Sequence, residues 1–325
     1  LSTLKAIASR YRADLAMTII IMVWGFHYIV LKEGVSEIAP LTYNALRFAV
    51  GLPVISLVAV RHPSIVHISR QDVWKIVVIN LFGSVAYQAL LTWSIKLTTA
   101  TNVALLAATS PAWVALLSMI MGIVITRRRM LIGIGVTFGG VALVVLSRAG
   151  FGLALSYDDL IGSALILAAA FMAAFAAIYT KPLVDRLGGL VLAVWSYWVT
   201  TAGLLALDAP ALFSLSPHSL PLRVVPNLLY SGTLSAAIGY IVWNYALRVL
   251  GPTRASTYNN FTPIVAALAG IIVLGEPFSP GLLAGGILTL TGVVLVRRNT
   301  FIRPPGPPAP RSAGRQPEPV PAVAK

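Results

Sequence analysis

The residues best suited to chemistry sit in apolar surroundings. Asn80, Ser84, Gln88 and Thr92 recur every four residues with Tyr87 beside them, a spacing that lines polar groups along one slowly drifting helix face. A second set, Tyr230, Thr233, Tyr240 and Asn244, lies further on, and 152 residues separate both Gln88 from Tyr240 and Thr92 from Asn244. Amides and phenols donate and accept hydrogen bonds without charge, so these faces suit either a neutral or zwitterionic ligand or hydrogen bonds between helices. Trp24 and Tyr87 fall near the middle of apolar runs, where an aromatic ring can stack on a ligand ring, cover an ammonium group or simply pack. Two ionisable groups share this environment. His27 reads as a hydrogen-bonded neutral imidazole rather than a proton carrier. Arg47 can bind a carboxylate bidentately, but pairing with Glu33 or Glu37, or reaching outward, is the simpler reading. The candidate binding set is therefore Trp24, His27, Tyr87, Gln88, Tyr240 and Asn244.

Other chemistries lack their parts. Without cysteine there are no thiol nucleophiles, disulfides or cysteine-bound clusters, and the four histidines form no metal-binding pair. Acidic residues occupy helix ends and loops, leaving no paired carboxylates within an apolar run, and no Gly-Lys-Ser/Thr loop is present to cradle phosphate. These features predict no catalytic residue, no metal and no cofactor.

The elements that must position these groups follow from composition. Of 325 residues 58% are hydrophobic and 10% charged, with a mean hydropathy of +0.85, more than a soluble core of this size can hide. Ten runs approach the roughly 20 residues that a helix needs to cross a bilayer. They fall at 13–33, 40–60, 72–95, 99–125, 129–147, 159–181, 188–207, 222–247, 254–275 and 279–297. Alternating the loops from a cytoplasmic N-terminus puts 19 of the 24 Lys and Arg residues on the cytoplasmic side, the positive-inside pattern. The net charge of +14 then has a topological meaning and calls for no nucleic acid. Residues 1–12 read as a cytoplasmic N-terminus. Residues 299–325 read as a disordered tail, because eight of the 21 prolines lie beyond residue 300.

A constant offset of 152 residues also superposes Ser110-Pro111 on Thr262-Pro263, Gly133 on Gly285 and Gly140 on Gly292. The chain thus divides into five-helix units at 13–147 and 158–298. An odd number of helices makes the second unit enter the membrane inverted, an arrangement of transporters that alternate access around one central site. The expected fold is an all-α membrane protein of ten transmembrane helices in two inverted five-helix repeats. GxxxG spacing at Gly135/Gly139 and Gly281/Gly285 predicts close helix approach, within the chain or between chains.

Residues 13–298 resemble the EamA-type drug/metabolite transporter superfamily, and within it the YddG-like amino-acid exporters. The resemblance is carried by Trp24-Gly25, Lys32, Arg47-Phe48, Ser110-Pro111, Thr262-Pro263 and Leu274-Gly275-Glu276-Pro277. It implies a basket-like ten-helix fold with a central cavity, exporting amino acids, especially aromatic ones, or similar small metabolites from a bacterial inner membrane. The first repeat departs from it, with Val124-Ile125-Thr126 where an acidic ending would be repeated. An exporter of lipophilic cations is the nearest competitor, but a cation site would normally offer a buried Asp or Glu, and an electroneutral cavity favours zwitterions. An intramembrane enzyme and a channel fit less well. With no mid-membrane carboxylate, transport is expected not to require a proton gradient.

The charge pattern predicts that reporters fused to either end of the chain give the cytoplasmic signal. Opposite locations for the two ends would refute the threading.

Overall fold

The structure, a computed structural model, describes residues 2–62, 65, 67–148, 156–216, 220–251, 255 and 258–302. Nearly all of them are helical, and nine stretches are long and apolar enough to cross a membrane. The helices are α1 (Ser2–Glu37), α2 (Pro40–Arg61), α3 (Arg70–Asn80), α4 (Tyr87–Leu97), α5 (Ala100–Ala107), α6 (Ser110–Ile120), α7 (Arg128–Arg148), α8 (Tyr157–Leu187), α9 (Gly189–Leu207), α10 (Ala209–Ser214), α11 (Val224–Leu229), α12 (Gly239–Leu250), α13 (Thr262–Leu274) and α14 (Pro280–Asn299). A π-helical stretch, Leu81–Ala86, joins α3 to α4, and another, Tyr230–Ile238, joins α11 to α12.

The expected span at 254–275 differs from its description. Its regular part is α13, whose 13 residues rise about 20 Å, short of the roughly 30 Å hydrocarbon core. Asn260 and Phe261 form a turn ahead of it, and residues 252–254, 256 and 257 lie outside the described residues. The N-terminal segment is no separate element, since α1 already runs from Ser2. The tail beyond Ile302 lies outside the described residues.

Local chemistry sets the helix ends. Hydroxyls of Ser69, Thr99 and Ser279 accept from the amides of Asp72, Asn102 and Leu282 at 3.1, 3.2 and 3.0 Å, capping α3, α5 and α14. Gly275 stops α13 with φ +64°, a conformation glycine adopts without strain. Pro111 and Pro263 open α6 and α13 in their first turns. They start new helical segments rather than kink continuous ones, because the first turn needs no intrahelical N–H.

The bundle has a basic end, where Arg61, Arg70, Arg127, Arg128, Arg129 and Arg186 lie at helix ends, and an opposite far end. At the basic end the Arg186 guanidinium pairs with Asp72, Tyr258 Oη donates to Asp14 Oδ1 at 2.9 Å, and an antiparallel ladder pairs Val124 with Ile302 and Ile125 with Phe301. The first two join the first repeat to the second; the ladder joins the first repeat to residues 301–302, so the start of the expected disordered tail is paired instead.

In lipid no hydrophobic force draws helices together, so close backbone packing must do so. The antiparallel α7 and α14 show how. A side chain at Gly133 or Gly140 would meet the backbone of α14, and one at Gly285 or Gly292 the backbone of α7. Midway between each glycine pair, the Thr137 and Thr289 hydroxyls turn back onto the Gly133 and Gly285 carbonyls, both at 2.8 Å. The GxxxG expectation therefore needs correction in the fifth helix: Gly135 and Gly139 face open space, and the contact runs through glycines seven residues apart. Seven residues is close to two turns and keeps one antiparallel seam in register.

The 152-residue offset recurs in the backbone itself. It carries Leu81–Ala86 into the stretch Tyr230–Ile238, and the α5–α6 break at Ala108-Thr109 onto the turn at Asn260-Phe261. Gly51 abuts the second π-helical stretch at Gly232, while Gly203, 152 residues on, abuts Val85 of the first.

The seam predicts that Gly140→Leu or Gly292→Leu lowers stability by several kcal/mol, above the roughly 1–3 kcal/mol of ordinary overpacking because backbone lies opposite. Gly135→Leu should be near neutral. Thermal unfolding of the detergent-purified variants checks this, and equal losses at all three positions would contradict the packing.

Candidate functional site

A cavity of about 460 Å³ lies among helices of both repeats, within the range of small-molecule pockets. Trp24, His27 and Tyr28 of α1, Arg47 and Phe48 of α2, and Tyr87 and Gln88 of α4 line its first-repeat side. Ser235, Tyr240 and Trp243 line it from the second repeat, and Arg297 lies toward the basic end. The two broken helices meet there in matching positions: Ala107, Ala108, Ser110 and Pro111 from one, Asn259, Asn260, Thr262 and Pro263 from the other. None of the described lining residues is Asp or Glu.

Arg47 is 3% exposed, and its side chain joins three helices. Nε–H donates to Asn44 Oδ1 at 2.7 Å, and Nη2 donates to Gln88 Oε1 at 2.7 Å. Nη1 lies 3.0 Å from His27 Nε2. A guanidinium only donates, so Nε2 must be the accepting nitrogen of a neutral imidazole with its proton on Nδ1. That proton points to Ser231 Oγ at 3.4 Å, which in turn lies 2.7 Å from Tyr43 Oη. The Arg47 Cζ also stands 4.8 Å from the Phe48 ring centroid. The expected pairing of Arg47 with Glu33 or Glu37 does not form. Glu37 pairs instead with Arg223 at 2.6 Å, because α2 turns the guanidinium inward. The cavity consequently carries a positive group and is not electroneutral.

Aromatic rings build the walls. Trp24 Nε1 donates to the Ser235 carbonyl at 2.9 Å, which fixes the indole 5.8 Å from the Trp243 ring. Tyr240 meets Tyr197 edge-on at 6.3 Å.

Of the six candidates, Trp24, His27, Tyr87, Gln88 and Tyr240 line the cavity. Asn244 does not. It faces a separate depression with Arg61, His62 and Arg248, and its Nδ2 donates to the Tyr240 carbonyl at 2.8 Å. Thr92, expected opposite it, hydrogen-bonds the Gln88 and Ala89 carbonyls, each at 3.0 Å. Asn80 likewise bonds the Ile76 carbonyl at 2.8 Å, and Ser84 accepts from Thr200 Oγ1 at 2.7 Å. Tyr230 donates to the Val23 carbonyl at 2.8 Å, and Thr233 to that of Leu229 at 2.6 Å. The expected stripe dissolves because π-helical turns run through both faces, and a spacing of four no longer returns to one side there.

At the far end of the bundle lies a polar cluster. Lys32 Nζ donates to the carbonyls of Ile95, Lys96 and Thr98 at 2.7, 3.2 and 2.7 Å, at the C-terminus of α4. Across the same hairpin the Glu276 carboxylate accepts from the Ala100 and Thr101 amides at 2.7 and 3.0 Å, at the N-terminus of α5. Each charge matches the helix end it meets. Thr98 Oγ1 donates to Asp159 Oδ1 at 2.6 Å, and Asn102 Nδ2 to Ser163 Oγ at 2.8 Å, tying the hairpin to α8.

Comparison with known proteins identifies the architecture. The sequence pattern of the EamA-like transporter family matches residues 12–146 and again 160–298. The chain belongs to that family. One similar protein is a "Probable terminal-alkyne amino-acid exporter" of Streptantibioticus cattleyicolor, 27% identical over 90% of this chain and 95% of its own length. Another is a "Probable amino-acid metabolite efflux pump" of Salmonella typhimurium, 25% identical over 85% and 92%. A solved crystal structure superposes with a TM-score of 0.60 over 89% of this chain and 98% of the other, at 18% identity, which speaks for the fold alone. This EamA-like chain is thus a multi-pass membrane transporter built from two copies of the family's unit.

Sequence reasoning missed Asn259 and Asn260 as lining residues and treated Arg47 as structural. Asn-Asn directly before Phe-Thr-Pro was the available sign, since unbranched amides ahead of a proline favour a turn over a continuous helix. Removing both acceptors with Glu276→Ala should lower stability by about 1–2 kcal/mol, while Glu276→Gln should fall between it and the parent. Thermal unfolding in detergent measures this, and an unchanged midpoint in the alanine variant would deny the cap.

Proposed function

We propose that this EamA-like transporter exports small zwitterionic metabolites, foremost aromatic and other neutral amino acids, from the cytoplasm across a bacterial inner membrane. On this reading the chain forms ten helices in two inverted five-helix repeats with both termini cytoplasmic, and the repeats alternate access around the central cavity. Trp24, His27, Tyr87, Gln88 and Tyr240 are its substrate contacts, and Asn244 is left out because it faces another depression. The observation that carries the proposal is a cavity between the repeats, walled by aromatic rings, neutral hydrogen-bonding groups and the Arg47 guanidinium, at which repeat-related helix breaks meet.

Such breaks are where transporter helices expose backbone to a substrate and change direction between states. The cavity extends toward the basic end while the far end is tied shut, a geometry suited to loading from the cytoplasm. The family relatives named as an amino-acid exporter and an amino-acid metabolite efflux pump support the substrate class. A lipophilic cation fits poorly, because the buried Arg47 would repel it and no described lining carboxylate would compensate.

Counterflow in proteoliposomes tests this. Labelled phenylalanine should exchange against unlabelled phenylalanine, tryptophan and leucine, and not against sugars or tetraphenylphosphonium. Trp24→Ala should reduce exchange of aromatic substrates about tenfold more than that of alanine, given roughly 0.5–1.5 kcal/mol for a lost ring contact, whereas Asn244→Ala should stay within about twofold of the parent. Exchange of tetraphenylphosphonium but not of amino acids would replace the proposal with multidrug export.

A further inference from the structure

We infer that Arg47 is the substrate's carboxylate anchor, so that this cavity selects for molecules bearing a free carboxylate and rejects the matching amides and amines. The inference rests on the small-molecule cavity proposed above and specifies what it reads.

The Arg47 guanidinium is buried, borders the cavity and carries a full charge, yet its hydrogen-bond partners Asn44, His27 and Gln88 are all neutral. A charge in a membrane bundle is costly, and none of these three acceptors is an anion that would offset that cost. The positive charge therefore has another purpose. Three of the five N–H groups of the fork are engaged by these acceptors, leaving two.

Asn44, beside Arg47, holds one further surplus donor. Asn44 is fully buried, and with its Oδ1 taken by Arg47 its amide orientation is set. The Asn44 Nδ2 then has no hydrogen-bond acceptor among the described residues. Buried donors without acceptors are rare and costly, and an anion placed at Arg47 is the species this donor-rich corner lacks. Two longer-range features agree. Helices α6 and α13, of 11 and 13 residues, both begin at the cavity and direct the positive ends of their dipoles toward it.

A planar guanidinium held at Nε and Nη2 is already oriented for a carboxylate approaching from the cavity. Gln88 and His27, besides facing the cavity, keep the fork in place before the substrate arrives. The ammonium pole of an amino acid would meet the π faces of Trp24, Tyr87 or Tyr240, the sort of surface that attracts cations. Carboxylate recognition thus belongs to α2 and ammonium recognition to the aromatic walls, and matched ligands can separate the two.

The test uses the full-length protein and four compounds that share one ring: phenylalanine, 3-phenylpropionate, phenylalaninamide and phenethylamine. Thermal stabilisation in detergent and inhibition of phenylalanine counterflow are both read. Phenylalanine and 3-phenylpropionate should bind, and the amide and the amine should be weaker by about tenfold or more, the scale of a charge-assisted hydrogen bond. Arg47→Gln should reduce that discrimination to about twofold, and Arg47→Lys should keep part of it. A merely structural arginine would leave the ratio unchanged. The assignment is overturned if the amide or the amine binds the unmodified protein within about twofold of phenylalanine, a comparison that needs no variant to fold, or if a folded Arg47→Gln keeps the full discrimination. Binding of 3-phenylpropionate but no amino acid would uphold the anchor and remove the amino-acid reading. Binding of none of the four compounds would remove both.

Discussion

A charged group in the interior of a lipid-spanning bundle constrains everything around it, because lipid offers it no acceptor and its partners must come from the protein or from the cavity it borders. Arg47 sets that constraint here. Its acceptors come from α1, α2 and α4, so these helices must keep their relative rotation for the guanidinium to remain satisfied. Fixing His27 as an acceptor also fixes its other nitrogen as the donor toward Ser231, which carries the network into the second repeat. Close passage of α2 past Gly232, where a side chain would strike the Arg47 carbonyl, holds the same junction by packing. Polar satisfaction and backbone contact thus coincide at one crossing between the repeats.

Elsewhere the repeats are joined by small residues. The α7–α14 seam gives the molecule one contact in which both repeats contribute equivalent glycines and threonines. Several of the cavity helices, by contrast, carry π-helical stretches and breaks. Interrupted helices tolerate rearrangement because their backbone groups already find partners outside the regular ladder.

Much of this was legible in the residues. Apolar runs of about 20 residues, the basic loops and the 152-residue offset announced a duplicated membrane protein, and the Ser-Pro, Thr-Pro and Leu-Gly-Glu-Pro motifs pointed to the family that the two matches identify. Five of six candidate positions fall on the cavity because a polar or aromatic side chain in the middle of an apolar run has few other places to go. Asn244 was misplaced for a specific reason. Placing it by the 152-residue offset from Thr92 assumes that both residues face the cavity, whereas the Asn244 amide is satisfied by its own helix, and nothing in the offset tells a back-bonded amide from an inward one. The π-helical stretches left no such pattern either, since they depend on packing such as that of Gly83 against Ala176. Arg47 was visible as an intramembrane charge, but its partner was chosen by proximity in sequence to Glu33 and Glu37. The inward turn that gives it neutral partners is a property of the assembled bundle.

A pronounced departure from repeat symmetry lies at the far end. Lys32 and Glu276 bind opposite sides of the hairpin between α4 and α5, but the positions 152 residues away are Val184 and Val124, which can form no such clamp at the basic end. Two conformations related by exchanging the repeats would have equal energy if the repeats were identical. The Lys32 and Glu276 contacts, which the repeat does not duplicate at the basic end, break that equality in favour of the state with the far end shut. On the proposed reading that is the state open to the cytoplasm, so an exporter would wait with its cavity toward its substrate. The bias must stay small, because a ligand can shift such an equilibrium only by its difference in affinity for the two states. Hydrogen bonds from one half-buried ammonium and to one half-buried carboxylate contribute a few kcal/mol at most, about 1.5–3 kcal/mol for each charged group.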